Sequence, residues 1–198
     1  SAVGEDSERA SFAGQHVTVL NVRGDHQIVD AVLEVRASAF TTSAREYRQA
    51  VGMDETPRIG VVVQRMVEPD CAGVMFTRNP VTSADERVIE ASWGLGEAVV
   101  GGLVVPDNYV VDVHGRVVGR TIGEKDVALR SRPEGGTREV AVEPDLVHAP
   151  CVSDDMLARL HELASNCEAL FGRALDIEWA FAGETLYLLQ YRAITRER

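Results

Sequence analysis

The sequence predicts an α+β fold in two parts. A small α+β lobe spans residues 1–64, and a larger, mostly antiparallel sheet backed by one long helix spans 65–198. Three observations predict this. Apolar residues recur at helical spacing early in the chain, between residues 27 and 52. Beyond that point short β-branched runs alternate with turn clusters, as consecutive antiparallel strands do. One further helical stretch, at 154–171, precedes a closing hairpin.

The opening "SAVGEDSERASFAGQHVTVLNV" is polar and small, then alternates toward a strand ending near Val22. Ile28, Val32, Val35 and Ala39 fall on one helical face. A second helix is expected from Ser43, where Glu46 completes a capping-box pattern, to near Gly52. "RIGVVVQRMV" reads as a strand, followed by "CAGVMFTRN", "RVIEASWG", "DNYVVDV" and "GRVVGRTI" as further strands. The turn clusters "EPD", "NPVTSADE" and "HGR" separate them. "RPEGGTREV" reads as a hairpin or surface loop. In the helix at 154–171, Leu160, Leu163, Cys167 and Leu170 are expected to face a core. There are no internal repeats and no low-complexity linkers.

Composition narrows the functional classes. With 45% hydrophobic and 26% charged residues, the 198-residue chain is of ordinary globular type. A net charge of −11 argues against a nucleic-acid partner, because phosphate-backbone binders present basic surface. A local arginine with a metal ion can still hold a nucleotide against that background. Cys71, Cys151 and Cys167 include no Cys-x-x-Cys pair, which fits a reducing cytoplasm better than a disulfide framework or a zinc site. No apolar run approaches the roughly 20 residues of a membrane helix, and there is no signal-peptide pattern. The expectation is a soluble, cytoplasmic chain without a membrane partner. The five histidines are scattered, with no metal-ligand spacing.

The closing stretch "DIEWAFAGETLYLLQYR" carries the chemistry. Strand residues alternate faces, and opposed residues of an antiparallel pair share one. If Ala182 opposes Leu186 across a three-residue "GET" loop, Glu178 opposes Gln190 and Asp176 opposes Arg192. That register gathers all four polar residues on one face and leaves Ile177, Trp179, Leu189 and Tyr191 on the other. An even loop would mix polar and apolar on both faces. Glu178 and Gln190 then offer hard oxygen ligands of the kind Mg²⁺ takes, beside the phosphate-matching fork of Arg192. A solvated strand face with a surface ion pair between Asp176 and Arg192 fits the same pattern. Parity alone does not choose between the two.

"DIEWAFAGETLYLLQYRAIT" resembles the end of the ATP-grasp nucleotide-binding domain shared by phosphoenolpyruvate synthase, pyruvate phosphate dikinase and rifampicin phosphotransferase. "SAVGEDSERASFAGQHVTVLNV", "VVVQRMVEPDCAGVMFTRNPVTS" and "IEASWGLGEAVVGGLVVPDNYVV" resemble the same family in the same order. The resemblance implies an ATP-grasp fold with ATP and Mg²⁺ as ligands. It implies that Gly14 and Thr18 belong to the loop closing over the ATP phosphates, and that Gln64 lies on the strand facing the nucleoside. Glu178 and Gln190 would hold Mg²⁺, Arg192 would bind phosphate, and Asp176 would support them. The implied activity is cleavage of ATP to AMP, the β-phosphoryl group passing through a phosphohistidine on a swivelling domain to pyruvate or another acceptor on a further domain. No histidine here has that domain's Ser-His or Thr-x-His context, so no catalytic residue is assigned in this chain.

"SWGLGEAVVGG" lacks the lysine and Ser/Thr of a P-loop and the dinucleotide spacing, and reads as a glycine-rich connection that lets strands pack closely. Family members have Arg-Ser-Ser-Ala where this chain begins with Ser1 and Ala2, so an arginine, an upstream lobe with its lysine, and the histidine and acceptor domains are expected to lie outside it. Tyr191 and Ala193 stand where the family has Ser and Pro, but Tyr191 is assigned to the apolar face. The isolated chain is therefore expected to bind ATP weakly and to be inactive. Two other classes compete: a truncated nucleotide-sensing or scaffolding module without turnover, and an ATP-grasp carboxylate–amine ligase. "FTRNPVTS" and "SWGLGE" speak against the ligase.

Overall fold

A computed structural model of the chain describes residues 17–50, 59–172 and 174–194, together with the two-residue strands β1 (Asp6–Ser7) and β2 (Ala10–Ser11). It divides into two compact units: residues 1–66 with 131–137 and 195–198, and residues 67–130 with 138–194. Among the described residues no helix is long and apolar enough to cross a membrane.

In the first unit, α1 (Gly24–Ser38) and α2 (Thr42–Ala50) follow the paired β1 and β2. Ile28, Val32 and Val35 are half-buried and Ala39 is buried, which is the stripe their spacing predicts. The cap of α2 lies on Thr41 rather than Ser43, since Thr41 Oγ1 accepts the Ala44 N–H at 3.3 Å. Buried Arg48 donates to Ala39 O at 2.7 Å and ties the two helices together. The strand expected to end near Val22 does not run through residues 17–22. Asn21 there sits at φ 52° and spends its side-chain N–H groups on Arg132 O and Gly136 O, each at 2.7 Å. An asparagine in the left-handed region turns the chain and ends an extended run.

"RIGVVVQRMV" is also not a strand. Ile59 makes a single bridge and residues 60–69 carry no strand pairing. β-Branched residues favour a strand only where a neighbouring strand supplies a ladder. Without one, Val62 and Val63 stand 80% and 67% exposed.

The second unit is built on β3 (Cys71–Phe76), β4 (Arg87–Trp93), the short α3 (Glu97–Val100), β5 (Asp107–Val111) and β6 (Val117–Thr121). The hairpin β7 (Val127–Ser131) and β8 (Thr137–Ala141) follows, then α4 (Asp154–Phe171), β9 (Leu175–Ala182) and β10 (Thr185–Ala193). Six strands form one sheet in the order β10-β9-β3-β4-β5-β6, every pair antiparallel, while β7 and β8 pair separately. The glycine-rich connection after β4 needs its glycine. Gly94 has φ 76°, and a Cβ there would lie 2.4 Å from Leu129 O.

The sheet is two-faced. On one side Ile177, Met75, Ile89 and Tyr109 lie opposite one another on β9, β3, β4 and β5, all fully buried. Trp179, Phe181 and Cys71 extend that surface, and α4 contributes Leu157, Leu160, Ala164 and Cys167 to the same cluster. Burial of each large side chain contributes about 1.5–3 kcal/mol. Ser153 starts α4 by accepting the Met156 N–H. Leu170 does not face the core as its spacing suggested: it is 76% exposed, one residue before α4 ends.

Candidate functional site

The other face of the sheet is where the polar residues of the closing hairpin collect. β9 alternates as expected, with Ile177 and Trp179 into the core and Asp176 and Glu178 on the opposite side. The hairpin does not turn through three residues. Thr185 faces Ala182, so Gly183 and Glu184 alone make the turn, with Gly183 at φ 55°. That even turn sets Leu188 opposite Trp179. A β-bulge between Leu188 and Gln190 then adds one residue to β10 and shifts the pairing. Beyond it Gln190 faces Glu178 and Arg192 faces Asp176. The polar pairing derived from parity is thus present, reached by a bulge rather than by an odd loop.

Asp176 is buried, and its Oδ2 accepts from Arg192 Nε at 2.7 Å and Nη2 at 2.5 Å. This side-on contact locks the guanidinium plane while the arginine side chain stays 31% exposed. The Nη1 end has no partner among the described residues and is available to an oxyanion. Asp176 Oδ1 is buried and likewise without a partner among them. Glu178 is half-buried. Its carboxyl is pushed above its ordinary value by burial first and by the neighbouring Asp176 second, with Arg192 pulling the other way. A carboxylate held in such surroundings gains from a cation, which favours its ionised form.

These features fit a hard divalent cation. A carboxylate residue and an amide residue oppose each other across β9 and β10, and Asp176, whose Oδ1 is buried and unpartnered among the described residues, lies two residues away on the same face of β9. Among the described residues no group of three or more His, Cys, Asp or Glu side chains is arranged to hold a metal. The Glu178 carboxylate and the Gln190 amide are of the hard-oxygen type that Mg²⁺ takes beside phosphates and water.

Thr18 and Gln64 belong to the first unit, where both are exposed, Gln64 outside any strand. Gly14 lies outside the described residues. Tyr191, opposite Ile177, stacks on Phe171 with ring centroids 4.0 Å apart, which keeps it off the polar face.

Sequence reasoning missed two residues on that face. Glu90 on β4 and Asn108 on β5 face each other, and Glu90 stands two strands from Glu178, with Val74 of β3 between them. The only local signal was a lone acid inside the buried run "RVIEASW".

The family model described as "Pyruvate phosphate dikinase, AMP/ATP-binding domain" matches residues 1–198. The chain belongs to this family. A rifampicin phosphotransferase from a Streptomyces species is 46% identical over 198 residues, which is 98% of this chain and 23% of that protein. A probable phosphoenolpyruvate synthase from Methanothermobacter thermautotrophicus is 43% identical over 197 residues, covering 98% of this chain and 29% of that protein. The rifampicin phosphotransferase of Bacillus subtilis is 40% identical over 197 residues. The chain thus spans about a quarter of the length of these curated relatives, two rifampicin phosphotransferases and a probable phosphoenolpyruvate synthase by name, which are much longer proteins. Membership of a pyruvate phosphate dikinase AMP/ATP-binding family makes a nucleotide the expected ligand of this chain.

Proposed function

We propose that the chain is the ATP-binding part of an ATP-grasp phosphotransferase that cleaves ATP to AMP. The β-phosphoryl group passes to a histidine on another domain and from there to a small acceptor such as pyruvate or rifampicin, while the γ-phosphate is released as inorganic phosphate or transferred. The small lobe, residues 1–64, covers the phosphates, and the large lobe, 65–198, carries the cation-binding and phosphate-binding hairpin. The observation that carries this reading is the pairing of Glu178 with Gln190 and of Asp176 with Arg192 on the coreless face of the sheet, in a chain of an ATP-binding family.

Each residue has a stated task. Glu178 and Gln190 would hold Mg²⁺, which supplies charge neutralisation at the phosphates. Asp176 fixes Arg192 through two N–H contacts, so the guanidinium presents its remaining donors to phosphate oxygens without reorganising. Gly14 and Thr18 close over the phosphates, and Gln64 faces the nucleoside. In phosphoryl transfer such positioning and charge neutralisation are most of the catalysis. The swivelling and acceptor domains would be supplied by the longer protein.

A titration of the chain with a non-hydrolysable ATP analogue and Mg²⁺, read by fluorescence of Trp179 on the reverse side of β9, tests the reading. Saturable, Mg²⁺-dependent binding that is lost in Glu178→Ala supports it. Binding that is indifferent to Mg²⁺ or unchanged in the variant refutes the assigned roles.

A further inference from the structure

We propose that Tyr191 is a positioning residue for Arg192, acting through its ring stack on Phe171; the inference deepens the nucleotide reading above and rests on it. Tyr191 lies between Gln190 and Arg192 on β10, and strand alternation sends its side chain to the opposite face of the sheet. It therefore cannot meet a nucleotide bound over Glu178. What it meets is the last residue of α4: the Tyr191 and Phe171 rings lie 18° from parallel with centroids 4.0 Å apart.

β10 needs such a support because it is an edge strand. Its one neighbour in the six-stranded sheet is β9. The bulge between Leu188 and Gln190 interrupts that single ladder in its middle. The half of β10 that carries the site is thus paired through Gln190, Tyr191, Arg192 and Ala193 alone, against Glu178, Ile177, Asp176 and Leu175. A short edge segment with water on one flank opens locally at little cost. Arg192 reaches Asp176, and Gln190 faces Glu178, only while that segment stays paired.

Phe171 is a fixed wall for it to lean on. It extends the stripe of Leu160, Ala164 and Cys167, with which α4 covers the sheet, by one further turn. The helix closes directly behind it, Gly172 N–H donating to Glu168 O at 3.1 Å, and Gly172 at φ 96° and Ala174 at φ 62° turn the chain toward β9. Just past β10, Ile194 N–H donates to Ala174 O at 2.6 Å. The segment is thereby held at its end by the backbone and along its inner face by the rings. Both rings lie outside the buried cluster, Phe171 48% and Tyr191 40% exposed, so removing the stack opens no cavity in the core. The Tyr191 hydroxyl makes no hydrogen bond among the described residues, which leaves the ring to carry the role. Contacts that grip a ligand hold their geometry only when the residues behind them are held as well.

The test compares the wild type with Tyr191→Ser, Tyr191→Phe and Phe171→Ala, the last approaching the stack from its other side. Two quantities are read: affinity for the non-hydrolysable ATP analogue with Mg²⁺ by calorimetry, and exchange of the Arg192 Nε–H with water by nuclear magnetic resonance. Tyr191→Ser and Phe171→Ala should each weaken binding about threefold to tenfold and speed that exchange by a similar factor, the range an aromatic pair supports. Tyr191→Phe, which keeps the ring, should restore both. In an Arg192→Ala background the effect of Tyr191→Ser on affinity should shrink, because the residue it positions is gone. An undiminished effect in that background, or a Tyr191→Phe as weak as Tyr191→Ser, overturns the positioning role. A wild type that binds no analogue overturns the nucleotide reading instead. Arg192 Nε–H exchange that is equal in the wild type, Tyr191→Ser and Phe171→Ala overturns the positioning role whether or not nucleotide binds.

Discussion

Replacing Lys125 with methionine is expected to cost the chain about 3 kcal/mol. Lys125 Nζ lies 2.5 Å from Asp107 Oδ1, and both side chains are fully buried. At an effective dielectric of about 20 the attraction at that distance is about 6–7 kcal/mol before desolvation is charged against it. Removing one partner of a buried pair costs about 3–5 kcal/mol, because the other charge stays behind unpaired. Asp107 is not left bare, however. Its Oδ1 also accepts the Gly123 N–H at 3.0 Å, and its Oδ2 accepts the Cys151 N–H at 2.9 Å and the Tyr109 O–H at 3.1 Å. These donors hold the expected loss at the lower end of the range, and methionine keeps most of the lysine's volume. Urea unfolding followed by tryptophan fluorescence measures it cleanly, since Trp93 and Trp179 both lie in the same compact unit as the pair. At about 2–4 °C per kcal/mol for a chain of this size, the midpoint of a thermal melt falls by about 6–12 °C. A double-mutant cycle with Asp107→Asn separates the pair's coupling from the packing change. A loss below about 1 kcal/mol in Lys125→Met would refute the reasoning that this ion pair binds the loops before β7 and α4 to β5.

Two further outcomes follow from particular contacts. Glu178 has a raised carboxyl in the folded chain, so the fold binds its proton more tightly than the unfolded chain does; the stability this gives is present below the ordinary value of 4.5 and is lost as pH rises through the raised value. Glu178→Gln should therefore melt higher than wild type at neutral pH and about level with it near pH 4, while Mg²⁺-dependent nucleotide binding disappears; a variant that melts lower at neutral pH contradicts this. Gly73→Ala should yield little folded protein, with a cost above about 4 kcal/mol, because a Cβ there would fall 1.9 Å from Glu90 O in the neighbouring strand; near-wild-type circular dichroism and melting would contradict it.

The parts of this molecule that sequence could disclose are those set by local alternation. The pairing of Asp176 with Arg192 and of Glu178 with Gln190 was readable because a two-faced sheet admits only one parity for those residues, whatever the turn does. The turn itself was misread. A bulge at Leu189 restores the parity that a two-residue turn would have broken, and no local pattern announces a bulge. α1 and the sheet strands followed from their spacing in the same way. Gln64 shows the limit: a run of valines looks like a strand, but strand formation depends on a partner ladder that the run does not specify. Glu90 and Asn108 were invisible as a pair for a related reason. Their meeting with Glu178 depends on the order β9-β3-β4-β5, which brings together residues nearly ninety positions apart in the chain.

The central claim is that nucleotide and cation meet on the face of the sheet opposite the core, at the β9–β10 pair. Mapping nuclear magnetic resonance shifts on addition of the non-hydrolysable ATP analogue with Mg²⁺ tests it most directly, with the side-chain amide of Gln190 and the Nε–H of Arg192 as reporters. The account predicts that these two signals move together, with saturation, and that both stay still when Mg²⁺ is withheld or Glu178 is replaced by alanine. Saturable binding that shifts signals elsewhere and leaves Gln190 and Arg192 unmoved would contradict it.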